Sequence, residues 1–125
     1  MRILLDTHVY LWWLQDSTKL SKIGREKIVS ATEVYVSSAT IWEVAIKSSI
    51  GKLNIDADTL VAEIKSNGFF ELNITPVHAA KIKQLPEIHR DPFDRILIAQ
   101  ATSEPLRFLT ADRILAGYSD LVDVI

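Results

Sequence analysis

Apolar residues fall into two alternating kinds of run along this chain. Short, dense runs occur at "RILL" (Arg2 to Leu5), "EVYVS" (Glu33 to Ser37), "FFELNI" (Phe69 to Ile74), "LRFLT" (Leu106 to Thr110) and "LVDVI" (Leu121 to Ile125). Their length and β-branched or aromatic content predict strands. Between them lie stretches with apolar residues three and four apart, which predict helices. "VYLWWL" opens a short helix, and "SKIGREKIVSA" places Ile23, Lys27 and Ile28 at helical spacing behind Ser21 as cap. "SATIWEVAIKSSIGKL" carries Ala39, Trp42, Ile46 and Ile50 on one side and stops at Gly51. A further helix begins near Asp56 or Asp58 and ends at Gly68, and "PVHAAKIKQL" starts with Pro76 in the first helical turn. "HRDPFDRILIAQA" (His89 to Ala101) follows, and "ADRILAGY" is a short helix before the final strand.

Strands that alternate with helices form βαβ units. The expected fold class is therefore α/β, a mostly parallel sheet with helices on both faces and right-handed crossovers. Sites in such sheets form beyond the carboxyl ends of the strands, where strand order reverses. Four acids occupy comparable places. Asp6 directly follows the first strand, Glu43 lies in the early turns of the helix after the second, Asp94 opens the helix before the fourth, and Asp112 follows the fourth in "LTAD". One edge of the sheet can gather all four.

Each acid also has a purely local use. Asp6 can close a turn with Thr7. Glu43 can complete a capping box with Thr40 or pair with Lys47 one turn on. Asp91 and Asp112 can cap helices. Asp94 is the exception, because it shares a face with Leu97, Ile98 and Ala101. A carboxylate on an apolar face is costly to bury unless something charged meets it.

Composition narrows the chemistry. The chain has 125 residues, one domain's worth, with 48% apolar and 24% charged residues. A net charge of −2 argues against holding nucleic acid by bulk positive charge, but allows an acidic site that metal neutralises. There is no cysteine, which excludes a disulfide framework, a thiolate zinc site and a cysteine nucleophile. No apolar run approaches the roughly 20 residues that span a bilayer, and the start meets acid too early for a signal peptide. A cytoplasmic, soluble protein without a membrane partner is expected. Clustered carboxylates repel one another and raise each other's proton affinity. All-oxygen donors suit Mg²⁺ or Mn²⁺, which can activate water against a phosphodiester.

Four stretches in order, "LLDTH" (Leu4 to His8), "SSATIWEVAIKSSIGKL", "HRDPFDRILIAQA" and "LTAD", resemble the motif blocks of PIN-domain ribonucleases, and among them the VapC-type toxins of toxin–antitoxin pairs. The similarity runs from Arg2 to about Tyr118 and makes residues 1–125 a single PIN-like nuclease domain. It implies a three-layer α/β/α fold with a parallel sheet of about five strands. It also implies a metal-dependent endoribonuclease, an RNA substrate, a cognate antitoxin and a homodimer. By motif the catalytic acids fall on Asp6, Glu43, Asp94 and Asp112. Asp6, Asp94 and Asp112 are expected to hold the metal, with Glu43 orienting water or completing a second site. Thr7, Asp91 and Thr110 are possible auxiliaries, Asp91 being extra to the general pattern.

The remaining polar and aromatic residues keep two readings each. Arg90, Arg95, Arg113 and Lys47 either steer an RNA backbone or are solvated. His8 and His89 serve either RNA or local hydrogen bonds, and His78 is assigned no role. Trp12, Trp13 and Trp42 either stack bases or pack, and adjacent Trp12 and Trp13 cannot both face one core. Among other folds with acids at strand ends, a receiver domain needs an Asp where this third strand ends "NITP". A dehalogenase-like phosphatase needs a second acid where this chain reads "DTH". A catalytically silent PIN-like binding module is the serious rival, although such modules usually lose part of the acidic set.

Overall fold

The computed structural model describes residues 1–125. Its order is β1 (Arg2–Leu5), α1 (Thr7–Leu14), α2 (Lys22–Ser30), β2 (Glu33–Ser37), α3 (Ser38–Ser49), α4 (Ala57–Ser66), β3 (Phe70–Leu72), α5 (Pro76–Lys81), α6 (Pro92–Ser103), β4 (Arg107–Thr110) and β5 (Val122–Val124). Short 3-10 helices cover Ile82–Gln84 and Arg113–Tyr118. The five strands form one sheet in the order β3-β2-β1-β4-β5, and every pairing is parallel. The chain winds outward from β1 through β2 to β3, then returns to β1's other side as β4. The reversal therefore falls between β1 and β4, where the parallel-sheet rule places a site.

The pleat sends alternate residues of β1 to opposite faces. Ile3 and Leu5 join Val9, Tyr10, Ile28, Leu60 and Ile64 on the side covered by α1, α2 and α4. Leu4 joins Leu97, Ile98, Phe108, Leu115 and Tyr118 on the side covered by α6 and the C-terminal 3-10 helix. Two apolar layers around one sheet give the expected three-layer fold. Each large aliphatic chain fully buried there contributes about 1.5–3 kcal/mol.

Helix starts follow the sequence closely. Ser21 accepts from Gly24 N–H, Asp56 from Asp58 N–H, and Asp91 from Phe93 and Asp94 N–H. Gly51 and Gly68, at φ +77° and +74°, supply the left-handed residues after α3 and α4.

Two helix faces differ from expectation. In α2 the buried residues are Gly24 and Ile28, while Ile23 is exposed and Lys27 turns to an ion pair with Asp123. A Cβ at Gly24 would press on the end of the Ile125 side chain, which would have to shift. In α3 the buried residues are Ala39, Thr40, Glu43 and Val44, and the stripe of Trp42, Ile46 and Ile50 faces outward. The helix rolls toward its polar face, where Thr40 meets the buried Thr7 hydroxyl and Glu43 is paired by Lys47 one turn on.

Candidate functional site

Asp6 anchors the site at the reversal of strand order. Its N–H pairs with Leu109 O at 3.0 Å, which continues the β1–β4 ladder and fixes the backbone. The side chain, 6% exposed, caps α1. Oδ1 accepts from Thr7 N–H at 2.7 Å, and Oδ2 accepts from the Thr110 hydroxyl at 2.6 Å. Burial lifts the Asp6 carboxyl from 3.8 to about 6; the Thr110 hydrogen bond opposes the rise, and the charge of Asp94 adds to it.

Thr110 does two jobs. While its hydroxyl donates to Asp6, its oxygen accepts from Asp112 N–H at 3.1 Å. The "T-x-D" spacing thus ties the end of β4 to the end of β1 and sets where Asp112 leaves the sheet. Asp112 itself is exposed and caps the C-terminal 3-10 helix by accepting from Ile114 N–H at 3.1 Å.

Thr7 reaches α3 through a hydroxyl pair with Thr40 at 3.0 Å, both buried. The cap of α3 is Ser37, which accepts from Ala39 N–H, so Thr40 and Glu43 do not form a capping box. Glu43, 4% exposed, is bound instead by the Lys47 ammonium one turn later. That hydrogen bond raises the proton affinity of Lys47 against the cost of its desolvation, and the charges of Asp91 and Asp94 reinforce the rise.

Asp94 enters from the first turn of α6, half-buried, with Oδ2 3.0 Å from His89 Nε2. Burial raises its carboxyl above the ordinary range, the His89 hydrogen bond opposes this, and the charges of Asp91 and Glu43 raise it further. Asp91 is the cap of α6, with Oδ1 accepting from the Phe93 and Asp94 N–H groups at 2.9 and 3.1 Å. It shares the cluster's electric field through Asp94 and Lys47.

Asp6, Asp94, Glu43 and Asp91 therefore act on one another electrostatically, with Lys47 among them. Asp112 belongs to the same sheet edge through Thr110, yet contributes to none of these shifts. No three His, Asp or Glu side chains stand at mutual metal-ligand spacing as they are oriented. The donor set still fits a hard divalent cation. It consists of oxygens only, and burial and neighbouring carboxylates raise Asp6 and Asp94, a strain that a cation relieves.

The surroundings resolve several double readings. Arg95 donates to Pro86 O and to the Tyr118 hydroxyl, and Lys47 is committed to Glu43, whereas Arg90 and Arg113 remain exposed beside the site. Trp13 packs on Phe69 and donates to Asn67. Trp12 is half-buried, with its ring 6.1 Å from that of exposed His8. Trp42, 57% exposed, meets Phe93 edge-on at 5.1 Å. His78 is buried in a capping box with Thr75 and faces Glu104 at 2.6 Å, away from the acids. Thr40 and Tyr118 escaped sequence reasoning as site-supporting residues. Their partners lie 33 and 29 positions away, and only the fold brings them together.

Comparison with known proteins agrees with this geometry. Residues 3–121 match the model of the PIN domain. The chain is 29% identical over 118 residues to Ribonuclease VapC22 of Mycobacterium tuberculosis, covering 93% of this chain and 91% of that protein. The crystal structure of VapBC2 from Rickettsia felis bound to a DNA fragment from their promoter superposes with a TM-score of 0.72 at 11% identity, over 100% of this chain and 98% of that one. FitAcB from Neisseria gonorrhoeae gives 0.61 at 20% identity, over 90% and 89%. With the family model covering nearly the whole chain, the chain belongs to the PIN domain family.

Proposed function

We propose that this protein is a divalent-metal-dependent endoribonuclease and the toxin of a toxin–antitoxin pair. The observation that carries the reading is the acid cluster at the β1–β4 reversal, where burial and neighbouring carboxylates raise Asp6 and Asp94, in a PIN domain whose relative is a ribonuclease. Asp6, Asp94 and Asp112 would hold Mg²⁺ or Mn²⁺, directly or through water. Bound there, the metal would polarise the phosphodiester and favour ionised water. The chain's own residues do the rest. Thr7 and Thr110 orient Asp6, Glu43 orients the attacking water or completes a second site, and Asp91 adds charge while starting α6. Exposed Arg90 and Arg113 flank the acids and meet the RNA backbone.

The same reading includes a cognate antitoxin and a homodimer. An apolar groove of about 340 Å³ between α3 and α4, lined by Ile41, Trp42, Ala45, Val61 and Ile64 among others, supports a protein partner on that side. No helix is long and apolar enough to cross a membrane, and the reading places the protein in the cytoplasm, where its RNA substrate is.

Sequencing of RNA 5′ ends from cells expressing the wild type or Asp6→Asn, with co-purified proteins identified alongside, tests the proposal. New ends are expected with the wild type alone, and in vitro they should require Mg²⁺ or Mn²⁺ and vanish with chelator. Identical ends in the two samples would favour the catalytically silent module.

A further inference from the structure

Tyr118 ends the 3-10 helix that Asp112 begins, and only 8% of it is exposed. Its hydroxyl lies 2.6 Å from His89 Nδ1, 3.0 Å from Arg95 Nη1 and 3.2 Å from the His89 backbone N. The His89 and Tyr118 rings meet edge to face at 5.4 Å, and the Arg95 guanidinium lies 5.7 Å from the Tyr118 ring centre. On its other side, His89 Nε2 lies 3.0 Å from Asp94 Oδ2.

Counting protons gives this arrangement a direction. A phenol oxygen offers two lone pairs and one proton. The Arg95 N–H and the His89 backbone N–H are obligate donors and occupy both lone pairs. The phenol proton must then go outward. The imidazole Nδ1 at 2.6 Å is a far better acceptor position than His89 O at 3.3 Å. With Nδ1 accepting, the imidazole proton sits on Nε2 and points at Asp94. The chain runs one way, from Arg95 through Tyr118 and His89 to the Asp94 carboxylate. Asp94 Oδ2 is its terminus, and Asp94 Oδ1 takes no protein donor.

We infer that Tyr118 and His89 are positioning residues, and that with Arg95 they hold Asp94 so that Oδ2 is turned to the protein and Oδ1 is presented to a divalent cation. This rests on the reading of Asp94 as a metal ligand. It adds a mechanical link as well. One short helix carries Asp112 at its start and Tyr118 at its end, so the Asp94 side of the site is braced against the Asp112 side. Partners that orient a ligating side chain in this way change metal affinity or activity by about tenfold or more when removed.

Long-range proton–nitrogen correlation spectra of the histidine rings in the wild-type protein, recorded without added metal, read the tautomer. His89 with its proton on Nε2 and none on Nδ1 is expected. The opposite tautomer, or a doubly protonated ring at neutral pH, overturns the chain. Mn²⁺ titration of wild type, Tyr118→Phe and His89→Gln, followed by electron paramagnetic resonance, provides the second measurement. About tenfold weaker binding is expected in Tyr118→Phe. Affinity equal to wild type in both variants overturns the inference. The wild-type spectra decide the matter even where a variant fails to fold. Neither measurement uses RNA, so a wild type that binds Mn²⁺ and cuts nothing ends the nuclease reading while leaving this one standing. A wild type that binds no Mn²⁺ removes both.

Discussion

Asp6 and Asp112 are joined through one threonine, yet they live in opposite environments. Both cap a helix and both follow a strand of the central β1–β4 pair. Asp6 is buried with both oxygens engaged, and its carboxyl is lifted to about 6. Asp112 is exposed, with only Oδ1 engaged by the protein. The difference shows that one acid of the set is built at a cost to the fold, while another rides at its rim with conformational freedom. Where a charge is kept despite burial, function is the economical explanation.

Five substitutions probe this contrast, in order of declining effect. Asp6→Asn should lower RNA cleavage about 1,000-fold or more, measured in single-turnover assays with saturating Mn²⁺. Asp112→Asn, under the same assay, should fall by nearer tenfold. Equal losses would erase the distinction between core and rim.

The same Asp6→Asn protein should be more stable than wild type at neutral pH. Asp6 binds its proton more tightly folded than unfolded, so the folded state carries more protons between about pH 4 and pH 6. Wild-type stability attributable to Asp6 therefore falls as pH rises through that window. Denaturant melts of the metal-free proteins should show no advantage for Asp6→Asn near pH 4 and about 3 kcal/mol by pH 8. A pH-independent difference would contradict the burial argument.

Thr110→Val removes the donor to Asp6 and the acceptor for Asp112 N–H together. It should cost about 1.5–3 kcal/mol at neutral pH and push the Asp6 titration, followed by carboxyl carbon NMR, still higher. Thr110→Ser should restore both. The smallest effect belongs to the rim: Asp112→Ala should cost about 1 kcal/mol through the lost cap, and Asp112→Asn only a few tenths. Thermal melts that separate these two from Asp6→Asn in sign would sharpen the comparison.

Much of the architecture was legible because the chain's local signals agree with one another. Strand runs, caps at Ser21, Asp56 and Asp91, and stops at Gly51 and Gly68 all lie where the pattern put them. The acids could be located along the chain, but not ranked. Their positions at strand ends are alike in sequence, and burial separates Asp6 from Asp112 only through contacts made across the sheet. The face of α3 was misread for a related reason. Apolarity favours Trp42, Ile46 and Ile50 as the inner stripe, whereas the inner face carries Thr40 and Glu43, whose partners Thr7 and Lys47 make burial tolerable. The Tyr118–His89 contact spans 29 positions and leaves no periodic trace.

Lys47 has a consequence for the order of events. Its ammonium already sits on Glu43, as the imidazole of His89 sits on Asp94 and the hydroxyl of Thr110 on Asp6. A chain that brings its own counter-ion can complete its folding before any metal arrives. On the proposed reading, metal loading would be an exchange, in which an incoming cation shares Glu43 with the resident ammonium or displaces it. Cellular metal supply would set how many molecules are armed, while leaving the number folded unchanged.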